Sequence, residues 1–209
     1  MSDPTKSAEV RRILDRYVVE VVERYELCPW SRTARERGEI GVEVVFGQPT
    51  DEAWIAAARA ALAGPSTRVA MVVAPELVID RIDFHDVRNR VAAALPTAGV
   101  AEFHPDASID LATPARLVPF LRRSPDPLLQ LVPLALLESV RASPQLDRAA
   151  QIQILAGVGV EPPRDVAAHL AAANHAMVTA KRAAIEATLD DITEDRRTAY
   201  ARVGLSACP

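Results

Sequence analysis

Val69-Ala70-Met71-Val72-Val73-Ala74 is an unbroken apolar run closed by Pro75-Glu76. A strand that buries one face alternates apolar with polar residues, whereas one that buries both does not, so this run predicts a strand in the middle of a covered sheet. Before it, Ile40-Gly41-Val42-Glu43-Val44-Val45-Phe46 mostly alternates, as suits a strand with one face less buried, and Gly47-Gln48-Pro49 closes it. After it, Val100-Ala101-Glu102-Phe103 makes a short third strand. Between the strands lie two helical stretches. Thr50 or Asp51 caps one that runs through Trp54, Ile55, Ala58 and Leu62 and stops at Gly64-Pro65-Ser66. Residues 81–95 carry Ile82, Phe84, Val87, Val91 and Leu95 at helical spacing.

Strand, helix, strand, helix, strand with short linkers is the pattern of parallel pairing through right-handed crossovers. The expectation is an α/β fold with a small three-stranded parallel sheet in the order 1-2-3 and both crossover helices on one face. A split arrangement with some antiparallel pairing is the alternative. The other face needs a cover. Residues 8–27, with Val10, Ile13, Leu14, Tyr17, Val18, Val21, Val22 and Tyr25 in one stripe, predict a helix suited to it.

From Thr113 onward the reading is all-helical. Helices are predicted over 113–121 and 127–141, broken by Ser124-Pro125, with Pro133 inside the second either kinking it or moving its true start downstream. Another begins at Ser143-Pro144 and ends near Gly157. A long one starts at Pro162-Pro163 and keeps Val166, Leu170, Met177, Ile185, Leu189 and Ile192 in a stripe. The expected organisation is one α/β domain over 8–209, with a strand–helix core at 40–104 and a helical part at 113–200. The long helix is also the surface through which a dimer would form.

Composition narrows the function classes. The 209 residues are 49% hydrophobic and 25% charged, a globular balance. Aromatics are 4%, so the core must be built largely from Ala, Val, Leu and Ile. Lys and Arg number 24 against 28 Asp and Glu, a net charge of −4, which offers no general attraction to nucleic acid. The start, Met1-Ser2-Asp3-Pro4-Thr5-Lys6, lacks the apolar run of a signal peptide, and no segment has the roughly twenty apolar residues that span a bilayer. A cytoplasmic location with no membrane partner is the expectation. Two cysteines, Cys28 and Cys208, make no disulfide framework.

Three islands carry residue types that the fold alone does not require: Cys28-Pro29-Trp30, Phe103-His104-Pro105-Asp106 and Arg122-Arg123-Ser124-Pro125-Asp126-Pro127. In a parallel sheet, loops leaving the carboxyl ends of the strands form the ligand crevice, which here brings Gln48, Glu76 and His104 with Asp106 to one edge. His104 can act as general acid or base with Asp106 orienting it; alternatively both serve the turn. Arg123 with Ser124 can grip a carboxylate or phosphate, or simply end a helix. Cys28 is expected at the carboxyl end of the first helix, which disfavours a thiolate unless Arg32 and Arg35 fold back over the sulfur. No Gly-rich phosphate loop, nucleophile elbow or paired-cysteine metal pattern is present, and His169 and His175, six apart, do not form a helical metal pair.

At these islands the chain resembles a bacterial and plastid family catalogued as domain of unknown function 1415. Leu27-Cys28-Pro29-Trp30-Ser31, Phe103-His104-Pro105-Asp106 and Arg123-Ser124-Pro125-Asp126-Pro127 stand in that family's order and spacing across residues 10–141. The chain departs from it in Leu129-Gln130-Leu131, where Gln130 replaces a histidine, and in Val132-Pro133, which replaces an Arg-Glu pair. The resemblance implies that Cys28, His104, Arg123 and Ser124 belong together.

The leading expectation is an enzyme of the hydrolase or transferase kind acting on a small anionic molecule. His104, Asp106 and Cys28 would do the chemistry, and Arg123, Ser124, Arg32 and Glu76 would bind substrate. A second reading makes His104, Asp106 and Cys28 ligands of a metal or cofactor. A third is a non-catalytic interaction domain presenting the long helix. Joint chemistry requires that Cys28 and His104 lie on the same side of the sheet.

Overall fold

β1 (Ile40–Val44), β2 (Val69–Val73), β3 (Ala98–Phe103) and β4 (Leu128–Pro133) form one sheet in the order β1-β2-β4-β3. The structure, a computed structural model, describes residues 3–142 and 166–206. The helix expected from Ser143-Pro144 to Gly157, the start of the long helix at Pro162-Pro163 and Cys208 lie outside the described residues. β1 and β2 pair in parallel, while β4 runs antiparallel to both β2 and β3. The three-stranded parallel sheet in the order 1-2-3 is therefore corrected to a four-stranded mixed sheet of the split kind.

The missed strand has a physical explanation. β4 is flanked by two strands and covered on both faces, with Leu128 in one core and Leu129 and Leu131 in the other. Such a strand shows no alternation, and its leucines, good helix formers, read as part of a helix over 127–141. Pro133 does not kink a helix but, as the alternative had it, stands before the true helix start. It is the last strand residue, opposite Ala98, and α6 (Leu134–Ala142) begins directly after it.

The crossover helices α3 (Asp51–Leu62) and α4 (Arg81–Ala94) share one face, as expected, where Trp54, Ala58, Phe84 and Val91 pack on Ala70, Val72, Leu129 and Leu131. Their starts are fixed locally. Thr50 Oγ1 accepts from the Ala53 N–H at 3.4 Å, and Asp80 Oδ1 accepts from the Ile82 and Asp83 N–H groups, each at 2.8 Å. Ile82, placed in the apolar stripe by spacing alone, is 77% exposed. α3 lies so close to β1 that a Cβ at Gly41 would fall on the Ala61 carbonyl oxygen.

The opposite face is covered by α1 (Pro4–Tyr17), a π-helical segment (Val18–Glu23), α5 (Pro114–Leu121) and the long α7 (Val166–Arg202). Ile13, Tyr17, Val21, Leu117, Ile185 and Ile192 are buried there with Val44, Val73 and Leu128. Each such side chain contributes about 1.5–3 kcal/mol on burial. α1 and α7 are also tied by charge, since Asp195 accepts from Arg12 at 2.7 and 2.9 Å and from Arg16 at 2.7 Å. Among the described residues no helix is long and apolar enough to cross a membrane.

Candidate functional site

Two of the three islands meet through the backbone. The His104 N–H donates to the Arg122 carbonyl at 3.0 Å, joining the end of β3 to the end of α5. The His104 ring is buried, tilted against Phe84 with centroids 5.9 Å apart. Its Nε2 lies 3.0 Å from the Ile79 carbonyl oxygen, and its Nδ1 accepts from the Asp106 N–H at 3.1 Å. That pair of bonds requires the neutral tautomer with the proton on Nε2. Both ring nitrogens are thereby engaged with backbone. The Asp106 carboxylate, 77% exposed, stands 3.9 Å from Nδ1, beyond hydrogen-bond distance.

The third island is mostly a buried brace. Ser124 Oγ donates to the Asp126 carbonyl at 2.6 Å. Asp126 accepts from Arg196 Nε at 2.7 Å on one oxygen and from the Tyr200 hydroxyl at 2.7 Å on the other. Arg196 also donates to the Pro75 carbonyl at 3.3 Å. Arg123 is half-buried, and its side chain makes no hydrogen bond or ion pair to a described residue. Glu76 is used by backbone, accepting from Gly47 at 2.9 Å and from Ser206 at 3.4 Å.

Cys28 is positioned by the chain's exit from the π-helical segment. Glu26 takes a left-handed conformation with φ of 52°, and the Leu27 N–H donates back to Val22 at 2.9 Å. α7 holds the turn, since Asn174 Nδ2 donates to the Leu27 carbonyl at 3.2 Å. Cys28 is therefore separated from α1 and sits just before α2 (Ser31–Glu36), with the backbone N–H groups of Trp30 and Ser31 toward its sulfur. Burial nevertheless pushes the thiol pKa up, and those N–H groups offset it only in part. Arg32 and Arg35 do not reach over the sulfur. Arg35 grips the buried Glu23 at 2.8 and 2.9 Å, and Arg32 approaches the same carboxylate at 3.8 Å.

Cys28 lines a cavity of about 310 Å³ on the α1 and α5 face of the sheet. Its walls are largely apolar, with Val18, Val22, Leu121 and Leu128 among them. Five polar side chains join Cys28 in the lining: Tyr17, Trp30, Ser31, Gln130 and Arg122. Tyr17 is 3% exposed, and burial, with Cys28 beside it, raises its phenol pKa. The Trp30 indole N–H is buried with no hydrogen-bond partner among the described residues. The amide of Gln130 and the hydroxyl of Tyr17 make no hydrogen bond to a described residue. Gln130 stands on the central strand β4 between Met71 and Ala101, and the small Ala101 leaves room above the sheet.

His104 lines a different cavity, of about 390 Å³, on the α4 side, together with Arg81, His85 and Glu102. There Glu102 is held by His85 at 3.1 Å and Arg88 at 3.0 Å. Cys28 and His104 thus lie on opposite faces of the sheet, and the structure does not bring them together. Among the described residues no three His, Cys, Asp or Glu side chains are grouped so as to hold a metal ion.

Sequence reasoning reached Cys28 but passed over Tyr17 and treated Gln130 only as a departure. One signal was available: Gln130 is the sole polar residue in the run Leu128-Leu129-Gln130-Leu131-Val132. Tyr17 sits in an ordinary apolar stripe and gave none. The family model described as Protein of unknown function (DUF1415) matches residues 9–153, which include all of these positions. No curated protein and no solved structure matches the chain.

Proposed function

The chain belongs to the DUF1415 family, and we propose that it binds a small, largely apolar molecule in the cavity beside Cys28. The observation that carries this reading is the buried Trp30 Nε1–H, which has no hydrogen-bond partner among the described residues and shares a largely apolar lining with the Tyr17 hydroxyl and the Gln130 amide, likewise without a hydrogen bond to a described residue. A buried polar group left unpaired costs about 1–3 kcal/mol, which a bound molecule recovers by bonding to it. An apolar cavity with a few such groups is the usual form of a small-molecule site.

Cys28 enters as a neutral thiol in contact with the ligand. A nucleophilic role needs a base beside the sulfur, and Gln130 cannot act as one. His104 serves the fold, bonding both ring nitrogens to backbone on the other face. The acid–base reading of His104 with Asp106 therefore draws no support from this bonding.

Binding of the neutral fluorophore 1-N-phenylnaphthylamine tests the site. Its emission is expected to rise with the native protein and to stay low with Ala101→Phe, which fills the floor of the cavity, at an unchanged urea midpoint. Equal enhancement by the folded variant sinks the proposal.

A further inference from the structure

We infer that the ligand of this cavity is an apolar monocarboxylate, with its tail on the aliphatic wall and its carboxylate on the N–H and O–H groups of the lining. The inference rests on the preceding reading of the cavity and names the chemistry of its occupant.

Every polar side chain of the lining can donate, and two of them, Trp30 and Arg122, can only donate. Trp30 offers one indole N–H and no acceptor and Arg122 a guanidinium, while Tyr17 and Ser31 offer hydroxyls and Gln130 an amide with both NH₂ and carbonyl oxygen. Among the described residues that line this cavity, Arg122 is the sole charged side chain and no carboxylate is present. Arg122 also lines the His104 cavity, where it forms a long ion pair with Glu102 at 3.8 Å that a carboxylate in the Cys28 cavity would compete with. A neighbouring cavity of about 360 Å³ shares Cys28, Trp30 and Gln130 and adds Arg37 and Arg68 against Glu39 alone, so the surroundings are also net positive.

An ammonium ligand would meet a cation and no anion here. A neutral alcohol would leave the charge of Arg122 unused. A carboxylate supplies two oxygens with about four acceptor positions, matching several unpaired donors at once, and charge-assisted bonds are the stronger kind. The volume, about 310 Å³, lies at the small end of ligand pockets, which run from roughly 300 to 1,000 Å³, and so favours a medium-length chain over a long one.

Decanoate, decanol and decylamine, each kept below its micelle concentration, provide the test with the full chain. The reporter is the Trp30 indole N–H resonance, distinguished from that of Trp54 by the Trp30→Phe variant. Decanoate should move this resonance and bind at least about tenfold more tightly than decanol. Arg122→Gln should weaken decanoate by at least about tenfold and leave decanol unchanged, which also shows that the variant is folded. Equal binding of decanoate and decanol, or no loss with Arg122→Gln, overturns the carboxylate assignment while the cavity reading stands. If none of the three amphiphiles nor the neutral fluorophore binds, both readings fall.

Discussion

Asp126 and Arg196, seventy residues apart, form an ion pair at 2.7 Å with side chains only 4% and 5% exposed. It fastens α7 to the turn before β4, with Tyr200 bonded to the second carboxylate oxygen. Removing one partner strands the other charge in the interior. Asp126→Ala should cost about 3–5 kcal/mol in urea unfolding, and Tyr200→Phe, which loses a hydrogen bond to a charged group, about 1.5–3 kcal/mol. An Asp126→Ala loss under 1 kcal/mol would show that the pair adds little to the fold.

His104 gives a second test, because its proposed role is bonding. His104→Phe keeps a ring against Phe84 but leaves the Ile79 carbonyl and the Asp106 N–H without their partner, a loss of about 1–3 kcal/mol. Binding of 1-N-phenylnaphthylamine should be unchanged. A variant of normal stability that no longer binds would return His104 to the functional site.

Acid should loosen the clasp between α1 and α7. The hydrogen bond from Arg12, against slight burial, and then that from Arg16 hold the Asp195 pKa down from its ordinary 3.8 to about 2. A carboxylate lowered in this way stabilises the fold fully above its unfolded value and loses that contribution as pH falls from about 4 through about 2. Urea midpoints measured from pH 6 to pH 2 should fall further for the native chain than for Asp195→Asn. Added salt should shrink the difference, since the pair is partly exposed. Parallel pH profiles would remove Asp195 from the explanation.

Gly41→Ala probes the packing of α3 on β1. The new methyl group would collide with the Ala61 backbone, which a side-chain rotation cannot relieve. Overpacking of this kind costs about 1–3 kcal/mol. Thermal unfolding of the variant reads the loss directly, and a Tm within a degree of the native value would mean that the helix can shift away without penalty.

Much of the strand–helix core was legible because its signals are local. The unbroken run of β2, the Thr50 cap and the spacing of Trp54, Ala58, Phe84 and Val91 each report on neighbours within a few residues. β4 was hidden because its status depends on two strands that are distant in sequence, and a doubly covered leucine-rich segment carries no periodicity that separates strand from helix. The site was half legible for the same reason. Cys28 stands out by residue type, but the bonds that turn His104, Ser124 and Asp126 into braces run to Ile79, Arg196 and Tyr200, which no spacing rule connects to them. The expectation that Cys28 ends the first helix failed because the π-helical segment and the Glu26 turn intervene and deliver it to the start of α2.

The long α7 also sets a timetable. Val178, Ile185, Leu189, Ile192 and Tyr200 leave the ribosome some tens of residues after β4, yet they close the face that carries Val73, Leu117 and Leu128. At about 5–20 residues per second, a nascent chain holds that apolar surface uncovered for seconds after β4 has been made. The face that ends up around the Cys28 cavity is thus the one a chaperone would meet during synthesis, while the α3 and α4 face can already be shut.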